Sequence, residues 1–283
     1  MSAYKVSVLV REHNDEKFVG RTLAAIEKQS FPEAFEIVCC DDFSTDSTPE
    51  IIRRFPNVRV LDAPAGGYVP GKTLNKMARA ALGEILVFNN ADAVPQNDRW
   101  LETLVKPLLD GAADAVYANQ LPRPDADWLV RKDNLRAFGD GRIASRWSFF
   151  FSLASSAVFR KDVLENPFDE TFKFSEDVEW AHRRNIKIGY AADALVEHSH
   201  NYTNAELSRR FYGEGYAAAR IFGVCPSFPR ALAEVCAETL RDAAFAFANK
   251  ISPLELPRAL KRRLIQKFSF RRGAVDFKKE MRK

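Results

Sequence analysis

Residues 5–47 read KVSVLVREHNDEKFVGRTLAAIEKQSFPEAFEIVCCDDFSTDS, and the order of patterns within them decides the fold. Residues 5–10 form a short apolar run suited to a strand buried on both faces. Residues 18–29 then space Val19, Leu23 and Ile26 at helical intervals. Residues 35–40 (FEIVCC) are a second strand, and the Ser/Thr/Asp cluster behind them predicts a capped helix over 47–55. The alternation continues with a strand at 58–61, a helix at 71–82, a strand at 84–88 and a helix at 98–109. Such repetition predicts right-handed crossover units and an α/β fold with a mainly parallel sheet covered by helices. Ligands of these sheets bind outside the carboxyl ends of the strands, so chemistry is expected just after Val10, Cys40 and Phe88.

Further on, 119–127 reads as a loop, 128–138 as a helix, 155–159 as a strand and 175–184 as a helix, followed by strands at 186–191 and 194–197. The remainder is helical, over 204–222, 230–248 and 256–268. Trp147 and Phe149, Phe150 and Phe151 read as core. With 46% hydrophobic residues and 22 Phe the chain fills a sizeable core, which excludes disorder, collagen-like repeats and a disulfide scaffold. No apolar run approaches the roughly 18–20 residues of a membrane span, and the N-terminus lacks a secretory h-region. Cys39, Cys40, Cys225 and Cys236 form no C-x-x-C pair, so reduced thiols and a cytoplasmic location are expected. A net charge of +4 is too small to imply a nucleic-acid partner. Its distribution is uneven: residues 250–283 hold 12 Lys or Arg against 3 Asp or Glu, leaving the first 249 residues at −5.

Each of the three strand ends leads into polar residues: Arg11, Glu12, His13, Asn14 and Asp15 after the first, Asp41 and Asp42 after the second, Asn89, Asn90 and Asp92 after the third of interest. Carboxylates at the top of a parallel sheet suit a divalent cation or the hydroxyl and imide groups of a nucleotide. Asp46 alone reads as a helix cap. Neither a G-x-x-x-x-G-K-[ST] loop nor a G-x-G-x-x-G fingerprint is present. The nearest feature runs from Gly66 to Lys72, where Lys72 at a helix start would face a diphosphate, or where the segment is a plain loop.

Residues 6–47 resemble the opening of family 2 glycosyltransferases of the GT-A (Rossmann-like) fold. That opening is a V-S-V strand, an asparagine loop, a helix ending in Q-[ST]-[FY], then E-I-V-V-D-[DS]-G-S-T-D. GKTLN at 71–75, GEILVFNNADAVP at 83–95, VYANQLPRPDA at 116–126, SEDVEWA at 175–181 and VEHSHNYT at 196–203 resemble the rhamnosyltransferase-like branch, in order and spacing over about residues 5–205. The resemblance implies a catalytic domain over 1–205 and a helical extension with a basic tail over 206–283. It implies an inverting, metal-dependent transfer of a sugar, rhamnose foremost, from a nucleotide-diphospho-sugar to a hydroxyl of a glycan or lipid-linked glycan in polysaccharide biosynthesis.

Carried onto this sequence, the resemblance implies that Asp42 binds the donor base, with Arg11, Glu12, His13 and Asn14 lining the same pocket. Asn90-Ala91-Asp92 takes the place of the family's D-x-D motif, with Asp92 and His198 as ligands of Mn²⁺ or Mg²⁺ and Lys72 near the diphosphate. The resemblance makes Asp177 the general base; read from the helix itself, Glu176 points away from Asp177 and would hold the acceptor or position a loop, and Trp180, one turn beyond Asp177, would wall the acceptor site. Departures are visible: Asn90 replaces the first aspartate, Phe43 a small residue, and Arg11-Glu12-His13 the common P-T-Y. The chemistry suits these residue types, because transfer must deprotonate a hydroxyl while a diphosphate departs. Two other readings stay open: a nucleotidyltransferase, and a degenerate sugar-binding or scaffold protein of the same fold. The segment RALKRRLIQKF at 258–268 aligns Leu260, Leu264, Ile265 and Phe268 on one helical face among basic residues. That pattern reads either as peripheral membrane contact or as a helix packing its apolar stripe inward.

Overall fold

The computed structural model describes residues 4–139 and 149–283, so Trp147 lies outside the described residues. The chain divides into two compact units. One comprises Met1–Ala126, Asp133–Phe172 and Glu176–Ser199; the other comprises Asp127–Lys132, Lys173–Ser175 and His200–Lys283.

The first unit is built on strands β1 (Tyr4–Glu12), β2 (Phe35–Asp41), β3 (Val58–Asp62), β4 (Gly83–Asn90), β5 (Val94–Pro95), β6 (Ala115–Leu121), β7 (Ser155–Phe159) and β8 (Ile188–Glu197). Among the described residues they form one sheet in the order β3-β2-β1-β4-β7-β6-β8-β5. β3, β2, β1 and β4 are parallel, as the opening alternation requires. β7 enters antiparallel between β4 and β6, while β8 runs parallel to β6. The sheet is therefore mixed, with the parallel half carrying the first three strand ends.

Period-two alternation sends Val6, Val8 and Val10 of β1 to one face, against Val19, Leu23 and Ile26 of the helix Val19–Glu27 and Trp100 and Leu104 of the helix Trp100–Leu109. Leu9 faces the other side with Leu74 and Met77 of the helix Pro70–Ala80, Phe88, Tyr117, Phe168 and Trp180. Phe151 is in this second core, and Phe150 packs edge-on against Tyr117. Gln29 fastens the two helices of the first face. Its carboxamide oxygen accepts from Leu101 N at 2.9 Å, and its nitrogen donates to Asn97 O at 2.7 Å.

Three expectations are corrected. The loop expected at 119–127 begins later, because Asn119 and Gln120 are the polar end of β6. Both are buried, Asn119 donating to Ala192 O and Gln120 to Ser152 Oγ. The two strands expected at 186–197 are one, β8, with a register irregularity opposite Ala118 and Asn119. Finally, β1 continues two residues past Val10, so Arg11 and Glu12 are strand residues.

The second unit contains the helices Asn204–Phe222, Phe228–Ala248 and Leu256–Glu280. Thr203 and Glu206 form a reciprocal capping box at the start of the first. Gly215 and Gly273 let the first and third touch backbone to backbone, since a Cβ on either would collide with Phe270 O or Tyr212 O. The last helix runs twelve residues beyond the expected end at 268. It buries Ala259, Arg263 and Gln266, leaves Leu260 and Leu264 exposed, and half-buries Ile265 and Phe268. Arg263 and Lys132 both pair with fully buried Asp242.

Candidate active site

The strand order turns back between β1 and β4, and their carboxyl ends lie side by side: Arg11 is in register with Cys40 on one flank and Asn90 on the other. A cavity of about 420 Å³ opens there, lined by Arg11, Glu12, His13, Asp15, Cys40, Asp42, Tyr68, Thr73, Asn90 and Asp92. This is the crevice that the crossover rule designates for ligands. Six residues expected from the sequence thus meet in one place: Arg11, Glu12, His13, Asp42, Asn90 and Asp92.

Local bonding explains how they are held. His13 Nδ1 donates to Asp42 O at 2.7 Å, and Asn14 Nδ2 donates to His13 Nε2 at 3.2 Å, so the ring carries its proton on Nδ1. Asn14 adopts a left-handed backbone with φ of 56° and accepts from Thr45 N at 2.8 Å. It thereby ties the loop after β1 to the loop after β2, and it does not line the cavity. Asp46 accepts from Thr48 N at 2.9 Å at the start of the helix Thr48–Ile52, the capping role expected of it. Phe43 shares the left-handed conformation with φ of 54° and is 63% exposed.

The turn bearing Asp92 is bound from behind. Thr22 Oγ1 donates to Ala91 O at 2.6 Å, Ala91 N to Arg11 O at 3.1 Å, and Asn89 Nδ2 to Asn90 O and Ala93 O. Asp92 then meets two partners. Arg123 donates from Nη2 to Asp92 Oδ2 at 2.9 Å, and its guanidinium stacks over the Phe18 ring at 3.8 Å. His198 Nε2 lies 3.5 Å from Asp92 Oδ1, while its Nδ1 is 2.8 Å from Gln120 Oε1. A carboxamide oxygen only accepts, so His198 donates from Nδ1, and Nε2 is the nitrogen that faces Asp92. His200 follows two residues on, in the second unit.

Arg11 crosses the site. Its Nε donates to Asn90 Oδ1 at 3.0 Å, and its Nη1 reaches Tyr68 Oη and Glu176 Oε1, each at 3.3 Å. Glu176 begins the helix Glu176–Arg184, with Asp177 next. Asp177 accepts from Val178 N at 2.8 Å and Leu153 N at 3.4 Å. Burial, with the Glu176 charge adding to it, pushes the Asp177 carboxyl up to about 7. Burial likewise pushes Glu12 well above the usual carboxylate range, and Asp15 up to about 6.

Besides Asn14, two expected site residues lie elsewhere. Trp180 is fully buried between Phe151 and Phe168, and its Nε1 donates to Asn166 O at 2.7 Å, so it cannot wall an acceptor. Lys72 does not line the cavity; Thr73 reaches it from the same helix. Tyr68, Thr73, Arg123 and Gln120 are site residues that sequence reasoning missed. Arg123 was within reach of it, standing in the segment VYANQLPRPDA.

Comparison with known proteins places this geometry in a family. The family described as "Glycosyl transferase family 2" matches residues 7–168. The O-antigen chain rhamnosyltransferase WbaN of Salmonella anatum is 30% identical over 253 residues, covering 83% of this chain and 78% of WbaN. The O-antigen chain rhamnosyltransferase RfbN of Salmonella typhimurium is 26% identical over 274 residues, covering 90% and 85%. The structure of the mannosyltransferase PcManGT from Pyrobaculum calidifontis, in complex with GDP-Man and Mn²⁺, superposes with a TM-score of 0.67 at 21% identity, covering 98% of this chain and 88% of PcManGT. Its likeness bears on the fold, which is of the GT-A type. With the family matched over more than half of the residues and a relative 30% identical along most of both chains, this chain belongs to glycosyl transferase family 2.

Proposed function

We propose that this glycosyltransferase moves rhamnose, with inversion, from a nucleoside-diphospho-rhamnose to a hydroxyl of a glycan or lipid-linked glycan. The choice of rhamnose is supported by the two O-antigen chain rhamnosyltransferases among its relatives. The observation that carries the mechanism is Asp177, whose carboxyl titrates at about 7 beside the Glu176–Arg11–Asn90 chain that borders the cavity. A carboxylate with that affinity suits the removal of a proton from an acceptor hydroxyl near neutral pH, and a positioned general base contributes of order 10²–10⁴ in rate. Arg11 holds Glu176 in place and, with Asn90, lies where the donor enters. Asp42 and His13 form the wall assigned to the nucleotide base.

The donor set at Asp92 fits a divalent cation such as Mn²⁺ or Mg²⁺: a carboxylate oxygen and an imidazole lone pair, with Gln120 orienting the imidazole from behind. Asp92 and His198 would hold it, Arg123 having taken the second carboxylate oxygen. When bound, such an ion neutralises the charge of a departing diphosphate. Arg123 supplies a fixed positive charge in the same place. Catalysis is assigned to residues 1–205, and contact with a membrane at its cytoplasmic face, through residues 250–283, completes the proposal.

The test is a panel of nucleoside diphosphates and their sugars, scored by thermal shift and by turnover, with Mn²⁺, Mg²⁺ or chelator. A rhamnose donor should be hydrolysed or transferred in preference to glucose, mannose and N-acetylglucosamine donors. Release of pyrophosphate from a nucleoside triphosphate, or turnover with none of the sugars, would contradict the reading.

A further inference from the structure

The helix Phe228–Ala248 carries an apolar face with nothing packed against it in its own unit. At 100° per residue, Leu232, Ala233, Cys236, Leu240, Ala244 and Phe247 fall within one arc of about 120° that contains no charged residue. Leu240 is 72% exposed and Phe247 90%. The opposite arc supplies the buried residues Ala231, Val235, Glu238, Asp242 and Ala246. From Leu232 to Phe247 the stripe is about 22 Å long. It continues beyond the helix at Leu254, 89% exposed. At its other end Phe228 packs on Phe268 at 5.3 Å, joining it to the side of the last helix where Leu260 and Leu264 are exposed.

Basic side chains border this surface. Arg230 and Arg241 stand beside the stripe, with Lys250 at its end and Lys261 on the adjoining helix, all exposed. Glu234 is paired with Arg230 and Lys267, and Glu238 with Arg241 and Lys132, so the bases outnumber the acids along this border. Large exposed apolar patches mark interaction surfaces, and a positive rim selects a negative partner. Two copies of this chain meeting through the face would set the same positive rims against each other.

We propose that this face lies in the surface of an anionic phospholipid bilayer, with Leu240, Phe247 and Leu254 entering the acyl boundary and the basic rim meeting the headgroups. The inference rests on the membrane contact proposed above and changes its seat: the residues that insert belong to the helix before the basic tail and to the turn after it.

The test uses the full chain and vesicles of phosphatidylcholine with one third phosphatidylglycerol. Wild type should co-sediment with them and not with pure phosphatidylcholine. Leu240→Glu with Phe247→Glu should weaken binding at least tenfold. Both positions are exposed, so the thermal midpoint should be unchanged. A polarity-sensitive dye on exposed Cys236, in a Cys225→Ser background, should shift to the blue on binding. Binding that survives the double substitution but disappears on neutralising Lys278 and Lys279 would overturn this face while leaving the tail contact standing. No binding by wild type would overturn both. A wild-type dimer, made monomeric by the double substitution and indifferent to vesicles, would assign the face to a second copy instead.

Discussion

Arg11 at the end of the first strand and Glu176 at the start of a helix, 165 positions later, form an ion pair at 3.3 Å, and the same guanidinium donates to Asn90 at 3.0 Å. One side chain thus connects the turn that carries Asp92 with the helix that carries Asp177. Arginine suits this task, since its fork reaches several acceptors at once.

Arg11→Ala is expected to lower transfer by about 10–100-fold, the range for losing a group that orients a functional residue. Its distinctive sign lies in the pH profile. The Arg11 charge holds the Asp177 carboxyl lower than it would otherwise be, so removing it should move the acid limb to higher pH. Arg11→Lys should restore the limb better than it restores the rate. A profile that does not move would separate Arg11 from Asp177.

Wild-type activity should rise with pH through about 7, as Asp177 loses its proton. The same shift has a cost in stability. The folded state binds this proton more tightly than the unfolded chain, so its penalty grows as pH rises from the ordinary aspartate range to about 7, then levels off. Asp177→Asn should therefore stabilise the protein more at pH 8 than at pH 5, by a difference on the order of 1–2 kcal/mol. Thermal melts at the two pH values measure it.

His198→Ala should weaken Mn²⁺-dependent nucleotide affinity at least tenfold, while Gln120→Leu, which only removes the group orienting the imidazole, should have a smaller effect in the same direction. Calorimetric titration of Mn²⁺ in the presence of a nucleoside diphosphate reads both. Equal affinities in all three proteins would remove His198 from the cation site.

Trp180→Ala should destabilise the fold by about 3–5 kcal/mol, the usual cost of emptying a core aromatic, with Asn166 O also losing its donor. The Michaelis constant for the acceptor should be unchanged in whatever fraction remains folded, which distinguishes a core residue from a wall of the site.

The sequence is most legible where structure is local. Strand ends and the turns behind them are written in consecutive residues, so Asp42, Asn90 and Asp92 were found by reading along the chain. Asp46 and its cap were found the same way. Tyr68 reaches the crevice, Arg123 reaches Asp92 and Gln120 reaches His198 from segments far away in sequence, and only the fold brings them together. Gln120 was hidden by a second effect. A polar pair at a strand end looks like a loop, and here it is a strand whose amides are satisfied inside the fold. Trp180 stands one turn beyond Asp177 in the sequence, but burial of Trp180 and Ala181 turns that side of the helix into the core. In the last helix, periodicity aligns Leu260 and Leu264 on one face but does not say which way that face turns, whereas two glycine contacts and the Arg263–Asp242 pair set the rotation.

The most direct measurement is single-turnover sugar transfer from a nucleoside-diphospho-rhamnose by wild type and Asp177→Asn, with donor binding measured on the same samples. Transfer should fall by at least 10²-fold, the lower end of what a positioned general base contributes, while donor affinity stays within about threefold. Undiminished transfer by Asp177→Asn, with donor still bound, would contradict the assignment of Asp177 as the base.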